Sequence, residues 1–335
     1  SATFPLLMAT PFPVRILATA EYRPGEVITN ERLAELLGGK DVPLACRYSG
    51  VDGRHWSVDP ESGELDPSLT NSRLCIRAAS QALERSGVAP DQVDVVISST
   101  CTPELLLPQT SALVQSGIGV PDCRCLDLRA GCAGVVSGLD LARSMIASGQ
   151  ARHAVVTGSD CFSPLAWPRV QDPGNRAMDD VHDIAMLSDA AAAAVLGPGE
   201  EGAPGTLGFA GSGSPLPHLL PGLATEPLVP MASLPFEWAP KRKLAKPPRV
   251  STRHPLIAEN LPVLIQTAVE RLEQESGLHW SDFAAIIGPQ ANPTLIRTLV
   301  HAVSVRITGE SIEDPRRPFT IGDRLGNCPG AAVLQ

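Results

Sequence analysis

Leu126-Asp127-Leu128-Arg129-Ala130-Gly131-Cys132-Ala133-Gly134 runs directly into Val135-Val136-Ser137-Gly138-Leu139-Asp140-Leu141-Ala142, and the change of pattern between them decides how the chain is read. The first stretch is an apolar run that closes on small residues and a cysteine. The second carries apolar residues at helical spacing. The junction predicts an extended segment, a tight turn and a helix, with Cys132 at or just before the helix N-terminus. Free backbone N–H groups and the positive end of the helix dipole favour a thiolate there. A thiolate set among small residues, with room for a carbonyl, suits nucleophilic acyl transfer. The competing reading is a buried structural cysteine, one of eight in the chain. Local spacing leaves both open.

Composition narrows the classes. At 335 residues the chain can hold two core-bearing halves or one large domain. It is 43% hydrophobic, 19% charged and 4% aromatic, as expected of an α/β protein packed on aliphatic side chains. A net charge of -9 argues against a nucleic-acid partner, which would need phosphates neutralised. No apolar run approaches the roughly 20 residues that span a bilayer, and no signal pattern opens the chain, so neither a membrane nor secretion is expected. Cysteines scattered over so long a chain read as reduced thiols of a cytoplasmic protein. Cys123-Arg124-Cys125 is not a zinc spacing and has no matching Cys/His pair, so no metal site is expected.

The chain also repeats itself. Ala82-Leu83-Glu84-Arg85-Ser86-Gly87-Val88, a turn and Val93 to Pro103 are matched by Leu272-Glu273-Gln274-Glu275-Ser276-Gly277-Leu278 and Phe283 to Pro293. The Ser-Gly pair and the closing Pro recur at one constant offset. Each copy reads as an amphipathic helix with a Gly C-cap, a short buried strand and a loop. Leu74, Ile76, Ala78, Ala79, Ala82 and Leu83 line the first helix; Leu261, Leu264, Ile265, Ala268, Val269 and Leu272 line the second. A second match sets Leu126–Gly134 against Thr320–Gly330, with Gly131 on Gly326 and Cys132 opposite Asn327. Two such halves about a pseudo-twofold axis would bring both helix starts and the Pro289 loop to one central cavity, with residues 289 and 327 within about 10 Å of the Cys132 sulfur. The expected division is 1–200, carrying the nucleophile, and 201–335. The first half continues past its helix through strands at Ala154–Thr157 and Ala191–Leu196, whereas the second stops at Gln335, so the expectation is a cropped second half.

Taken together, Arg47-Tyr48-Ser49-Gly50-Val51-Asp52-Gly53-Arg54, Ser99-Thr100-Cys101-Thr102-Pro103, the Cys132 junction, Gly158-Ser159-Asp160, Leu187-Ser188-Asp189-Ala190-Ala191-Ala192, Gln290-Ala291-Asn292 and Gly326-Asn327 resemble the ketoacyl-acyl carrier protein synthase III family. The resemblance runs nearly end to end. It implies an α/β thiolase-like fold of two duplicated halves layered α-β-α-β-α, a homodimer, and acyl transfer from a coenzyme A or acyl carrier protein thioester onto Cys132. No tightly bound cofactor is implied; the acyl-CoA or acyl-pantetheine thioester is substrate. By position Asn327 matches the family's active-site asparagine, and Asn292 the asparagine that contacts the pantetheine arm. Leu107, before Pro108, matches the position that reaches across the dimer to close the partner's acyl pocket, and reads equally as plain core. Arg54 with Trp56 is expected near the nucleotide at the entrance.

One departure matters more than the matches. The family normally has His-Gln-Ala-Asn where this chain has Pro289-Gln290-Ala291-Asn292. That histidine, with Asn327, would hold the thioester oxyanion during decarboxylation of a malonyl extender. Proline has neither a side-chain donor nor a backbone N–H. Loss of one oxyanion donor costs about 2.7–4 kcal/mol in the barrier. The expectation is an acyltransferase that loads Cys132 and passes the acyl group to a small-molecule amine or hydroxyl, or to a carrier thiol, as relatives in polyketide and other specialised pathways do. Two alternatives stay open: a true carbon–carbon condensing enzyme with a substitute base, and a non-catalytic partner subunit of a heterodimeric synthase. His182 in Asp179-Asp180-Val181-His182-Asp183 reads as a solvated loop. His218 and His254 cannot be placed from sequence. The basic run Lys241, Arg242, Lys243, Lys246 and Arg249 reads equally as a solvated linker or as a docking patch for an acidic carrier.

Overall fold

Val95–Ser99, Ala154–Asp160 and Ala190–Leu196 are buried along their whole length, without the alternation of a half-exposed strand. Such segments need cover on both faces of their sheet. In the computed structural model they have it. The structure describes residues 13–200 apart from 40, 176 and 177, together with Leu207 and Glu270. In chain order the elements are β1 (Val14–Tyr22), β2 (Ile28–Thr29), α1 (Asn30–Leu37), α2 (Val42–Ser49), β3 (Gly53–Arg54), α3 (Asn71–Ser86), β4 (Val95–Ser99), α4 (Thr110–Gly117), β5 (Arg124–Leu128), α5 (Gly134–Ala147), β6 (Ala154–Asp160), α6 (Ser163–Val170), α7 (Met178–Met186) and β7 (Ala190–Pro198).

A five-stranded sheet in the order β1-β7-β6-β4-β5 forms the centre. β4 pairs in parallel with both β5 and β6, while β7 runs antiparallel to β6 and β1. The two-residue period of a strand distributes its side chains between two helical layers. Val96, Val155, Ala193 and Val195 meet Leu74, Ala78, Ala79, Ala82 and Leu83 of α3 on one face. Val95, Ile97, Val156, Ala194 and Leu196 meet Ala142, Met145 and Ile146 of α5 on the other. The expected first helix is therefore α3. It stops at Gly87, left-handed at φ 70°, whose N–H caps Leu83 and Glu84 carbonyls.

β1 had no counterpart in the sequence reading; it closes the outer side of β7. α1, α2, α6 and α7 build a satellite cluster around Leu33, Leu37, Val42, Ala45, Val170, Val181, Ile184 and Ala185. The expected solvated loop around His182 is corrected here, since it is helix α7. Val181, Ile184 and Ala185 form its buried stripe, and Asp180 is buried against Arg169, with Nε–Oδ1 at 2.9 Å. Asp180, which read as solvent-facing, is turned inward and paired. The expected second half, 201–335, lies outside the described residues apart from Leu207 and Glu270, and Pro289, Asn292 and Asn327 lie outside with it.

Candidate active site

The predicted strand–turn–helix junction is present. β5 ends at Leu128, and Gly131–Ala133 form a single 3-10 turn that delivers the chain into α5 at Gly134. Gly131 makes the turn possible, because its φ of 54° is in the left-handed region that side chains disfavour. Gly134 does the rest by close approach. A Cβ at 134 would fall on the Ser99 hydroxyl at the end of β4, so only glycine lets α5 seat there. Two strand ends thus fix the height of Cys132. The thiol sits in the middle of the turn and is half-buried.

The thiolate expectation needs correction. Burial pushes the Cys132 thiol up to about 11, the Asp160 carboxylate adds to the rise, and the residue's own backbone N–H opposes both without prevailing. Taking charge out of water outweighs what the helix start gives back. At neutral pH the resting group is a thiol.

Asp160, fully buried at the end of β6, organises the wall beside it. Its Oδ1 accepts from the Cys101 N–H at 2.7 Å and from the Thr100 and Thr102 hydroxyls at 3.2 and 3.4 Å. Asn71 donates to the Thr100 hydroxyl at 2.6 Å and to the Thr102 carbonyl at 2.9 Å. Asp127, inside β5, receives the Thr110 and Ser111 N–H groups at 2.9 and 2.8 Å and so caps α4 from a neighbouring strand. Sequence reading gave neither carboxylate a role. Position at or near a strand's carboxyl end was the available signal.

The remaining expected residues separate. Arg54 is fully buried: Nε donates to the Ala185 carbonyl, Nη1 to the Ile28 carbonyl, and Nη2 to Asn30 Oδ1 and the Val51 carbonyl, at 2.6–3.4 Å. Trp56 is buried edge-on to Trp167 at 6.4 Å between ring centroids. Both are therefore corrected from entrance residues to internal ties: a guanidinium enclosed among backbone carbonyls is not presented to a phosphate in solvent. Exposed side chains nearby include Arg47 and Tyr48, the latter 63% exposed and stacked on His182 with centroids 5.1 Å apart. Leu107 is 85% exposed, and Leu105 and Leu106 are exposed beside it, so plain core is excluded in this chain. Among the described residues, no group of three or more His, Cys, Asp or Glu side chains is arranged to hold a metal ion. Nor is any described helix long and apolar enough to cross a membrane.

A family model described as 3-oxoacyl-[acyl-carrier-protein (ACP)] synthase III matches residues 126–212. The chain is 31% identical over 191 residues to a β-ketoacyl-[acyl-carrier-protein] synthase III of Clostridium novyi (strain NT), covering 57% of this chain and 52% of that protein. It thus spans about half the length of the curated relative it matches. Among solved structures, a tetronic acid condensing enzyme is 25% identical with a TM-score of 0.74, over 96% of this chain and 89% of that one. The 3-oxoacyl-(acyl carrier protein) synthase III of Pseudomonas aeruginosa PAO1 gives a TM-score of 0.73 at 24% identity, over 96% and 87%. The fold is the thiolase-like α/β fold of those proteins.

Proposed function

We propose, from the premise that this chain is a thiolase-fold relative of the 3-oxoacyl-[acyl-carrier-protein] synthase III family, that it is an acyltransferase working through Cys132. The observation that carries the reading is the placement of that sulfur, on a turn held by Gly131 and seated on β4 through Gly134, at the start of α5. An acyl carrier protein or coenzyme A thioester supplies the acyl group. Cys132 loses its proton, its sulfur attacks the thioester carbonyl, and the tetrahedral adduct expels the pantetheine thiolate, which takes up a proton. An amine, hydroxyl or second carrier thiol then attacks the acyl-cysteine and returns the Cys132 thiol. Because the resting group is protonated, the first step accelerates with pH toward about 11.

The second half supplies the rest in this reading. Asn327 serves as oxyanion donor, Asn292 holds the pantetheine arm, and Pro289 lines the pocket where the family's histidine stands. Division at 200/201 and a cytoplasmic location belong to the same reading. The exposed Leu105–Leu107 stretch supports a homodimer in which Leu107 closes the partner's acyl pocket. The condensing reading is favoured by the likeness to the tetronic acid condensing enzyme. Against it stands Pro289, which has no donor to offer an enolate oxygen. Retention of Cys132 on its intact turn argues against a non-catalytic subunit.

Incubation with a panel of acyl thioesters, followed by peptide mass spectrometry, tests the reading. The expected adduct is on Cys132, and labelling elsewhere with Cys132 free rejects it. Carbon dioxide release from malonyl thioesters is expected to be slow. Vigorous release by the unmodified protein would promote the condensing enzyme instead.

A further inference from the structure

Cys101 has no part in the acyl-transfer scheme, yet it stands beside the nucleophile. Ser99 and Leu128 are register partners at the ends of β4 and β5. Past the sheet the two chains stay together: the Thr100 N–H donates to the Leu128 carbonyl at 3.4 Å, and Arg129 Nη1 to the Thr100 carbonyl at 3.3 Å. The Cys101 N–H is fixed on Asp160 Oδ1 at 2.7 Å, and the Gly131 N–H lies near enough to the Cys101 sulfur to favour its charged form. Cys132 is the next residue after Gly131. Both thiols are half-buried, whereas Cys46, Cys75 and Cys161 are enclosed.

Electrostatics point the same way. Burial, Asp160 and the neighbouring Cys132 all push the Cys101 thiol up, and burial and Asp160 do the same to Cys132. Negative charge is penalised at both sulfurs. A neutral S–S link carries none, so the surroundings that oppose two thiolates do not oppose the bond between them.

We propose that Cys101 and Cys132 are a paired modification site, joined as an intramolecular disulfide when the protein meets a low-molecular-weight disulfide such as oxidised glutathione. The Cys132 sulfur, its proton released to solvent, attacks one glutathione sulfur. The glutathione S–S bond breaks and one glutathione leaves as a thiolate that takes up a proton. Cys101, likewise deprotonated, attacks the Cys132 sulfur of the mixed disulfide, and the second glutathione leaves and is protonated. Two protein thiols are oxidised to one disulfide, and one oxidised glutathione is reduced to two thiols. The second step is intramolecular and gains from effective concentration. Closed, the link covers the nucleophile; reduced, it returns it.

The test is non-reducing peptide mapping of the full chain after oxidised glutathione at mildly alkaline pH. The expected product is one crosslinked pair of peptides containing Cys101 and Cys132, two hydrogens lighter than the separate thiols, with dithiothreitol restoring Cys132 alkylation. Cys101→Ser is expected to stall with glutathione retained on Cys132. The proposal is overturned if wild type keeps glutathione on Cys132 while Cys101 stays alkylatable. It is equally overturned if Cys132 links to another cysteine, if it reacts with nothing, or if only Cys123 and Cys125, whose sulfurs lie 3.9 Å apart at the start of β5, become joined. A Cys101→Ser protein that behaves as wild type also overturns it. The readout is the linked peptide and not turnover, so a failed acylation with the link formed would reject the acyl-transfer reading alone.

Discussion

Two cysteines stand where a parallel strand hands over to a helix, and they have opposite fates. Cys132 follows β5 and precedes α5; Cys161 follows β6 and precedes α6. At Cys161 the helix start is spent. The Phe162 and Ser163 N–H groups both donate to Asp189 Oδ1, at 2.6 and 2.9 Å, and the Cys161 N–H goes to the Thr102 hydroxyl at 2.7 Å. Burial, then Asp189, push its thiol far up. At Cys132, among the described residues, no carboxylate accepts from the N–H groups that open α5, and the sulfur is half-open. One linear pattern thus gives a sealed tie where a distant carboxylate takes up the helix-start N–H groups, and a candidate nucleophile where Asp160 stands near the sulfur and bonds the neighbouring loop instead.

The contrast can be broken most decisively at the sulfurs. Cys132→Ala is expected to abolish covalent acylation, at least a hundredfold below wild type. Cys161→Ala is expected to retain acylation and to lower the urea unfolding midpoint. Peptide mass spectrometry and chemical denaturation read the two effects separately.

Gly134→Val comes next. Its added atoms have no room against Ser99, so α5 must lift, with an expected loss of about 2–3 kcal/mol of stability and of acylation together. Unchanged unfolding would show that the helix start is not seated as described.

Asp189→Asn sharpens the other side. The amide keeps the shape but turns an NH2 toward donors from Ser57, Phe162 and Ser163, at an expected cost of about 1–3 kcal/mol in denaturation experiments. Acylation of Cys132 is expected to persist in the folded fraction.

Asp160→Asn gives the smallest effect and the most specific one. Removing a negative charge that disfavours the Cys132 thiolate lowers the thiol from about 11. More thiolate is then present at any fixed pH below that value, and iodoacetamide labelling of Cys132 at mildly alkaline pH is expected to rise on the order of threefold to tenfold. A slower rate would mean that Asp160 acts only through the loop it holds.

What the sequence made legible follows the same division. The β5–Cys132–α5 junction could be read because an apolar run, small residues and helical spacing are all local signals. The same is true of α3, with its stripe and its Gly87 cap. Long-range partners are what could not be read. Nothing near Arg54 says that its guanidinium will be surrounded by carbonyls from residues 28, 51 and 185. Nothing near Asp180 says that Arg169 will neutralise it, so a buried helix looked like a charged loop. Dipole reasoning at Cys132 failed likewise, because the burial and Asp160 that outweigh it come from elsewhere in the chain.

β4, β5 and β6 run parallel, so their carboxyl ends lie on one side of the sheet, and the segments that follow them supply neighbours of Cys132: Thr100 and Cys101, Ala130 to Gly134, and Asp160. During synthesis Cys132 is therefore made before Asp160, which raises its thiol. In the unfolded chain the sulfur lies in the ordinary thiol range. In the folded chain it holds its proton up to about 11. The native state binds that proton more tightly than the unfolded chain, so this residue stabilises the fold below the ordinary thiol range, and the contribution is lost as pH climbs toward about 11. Folding makes this thiol quieter than it is in the open chain, and the finished fold keeps its reactive atom in reserve.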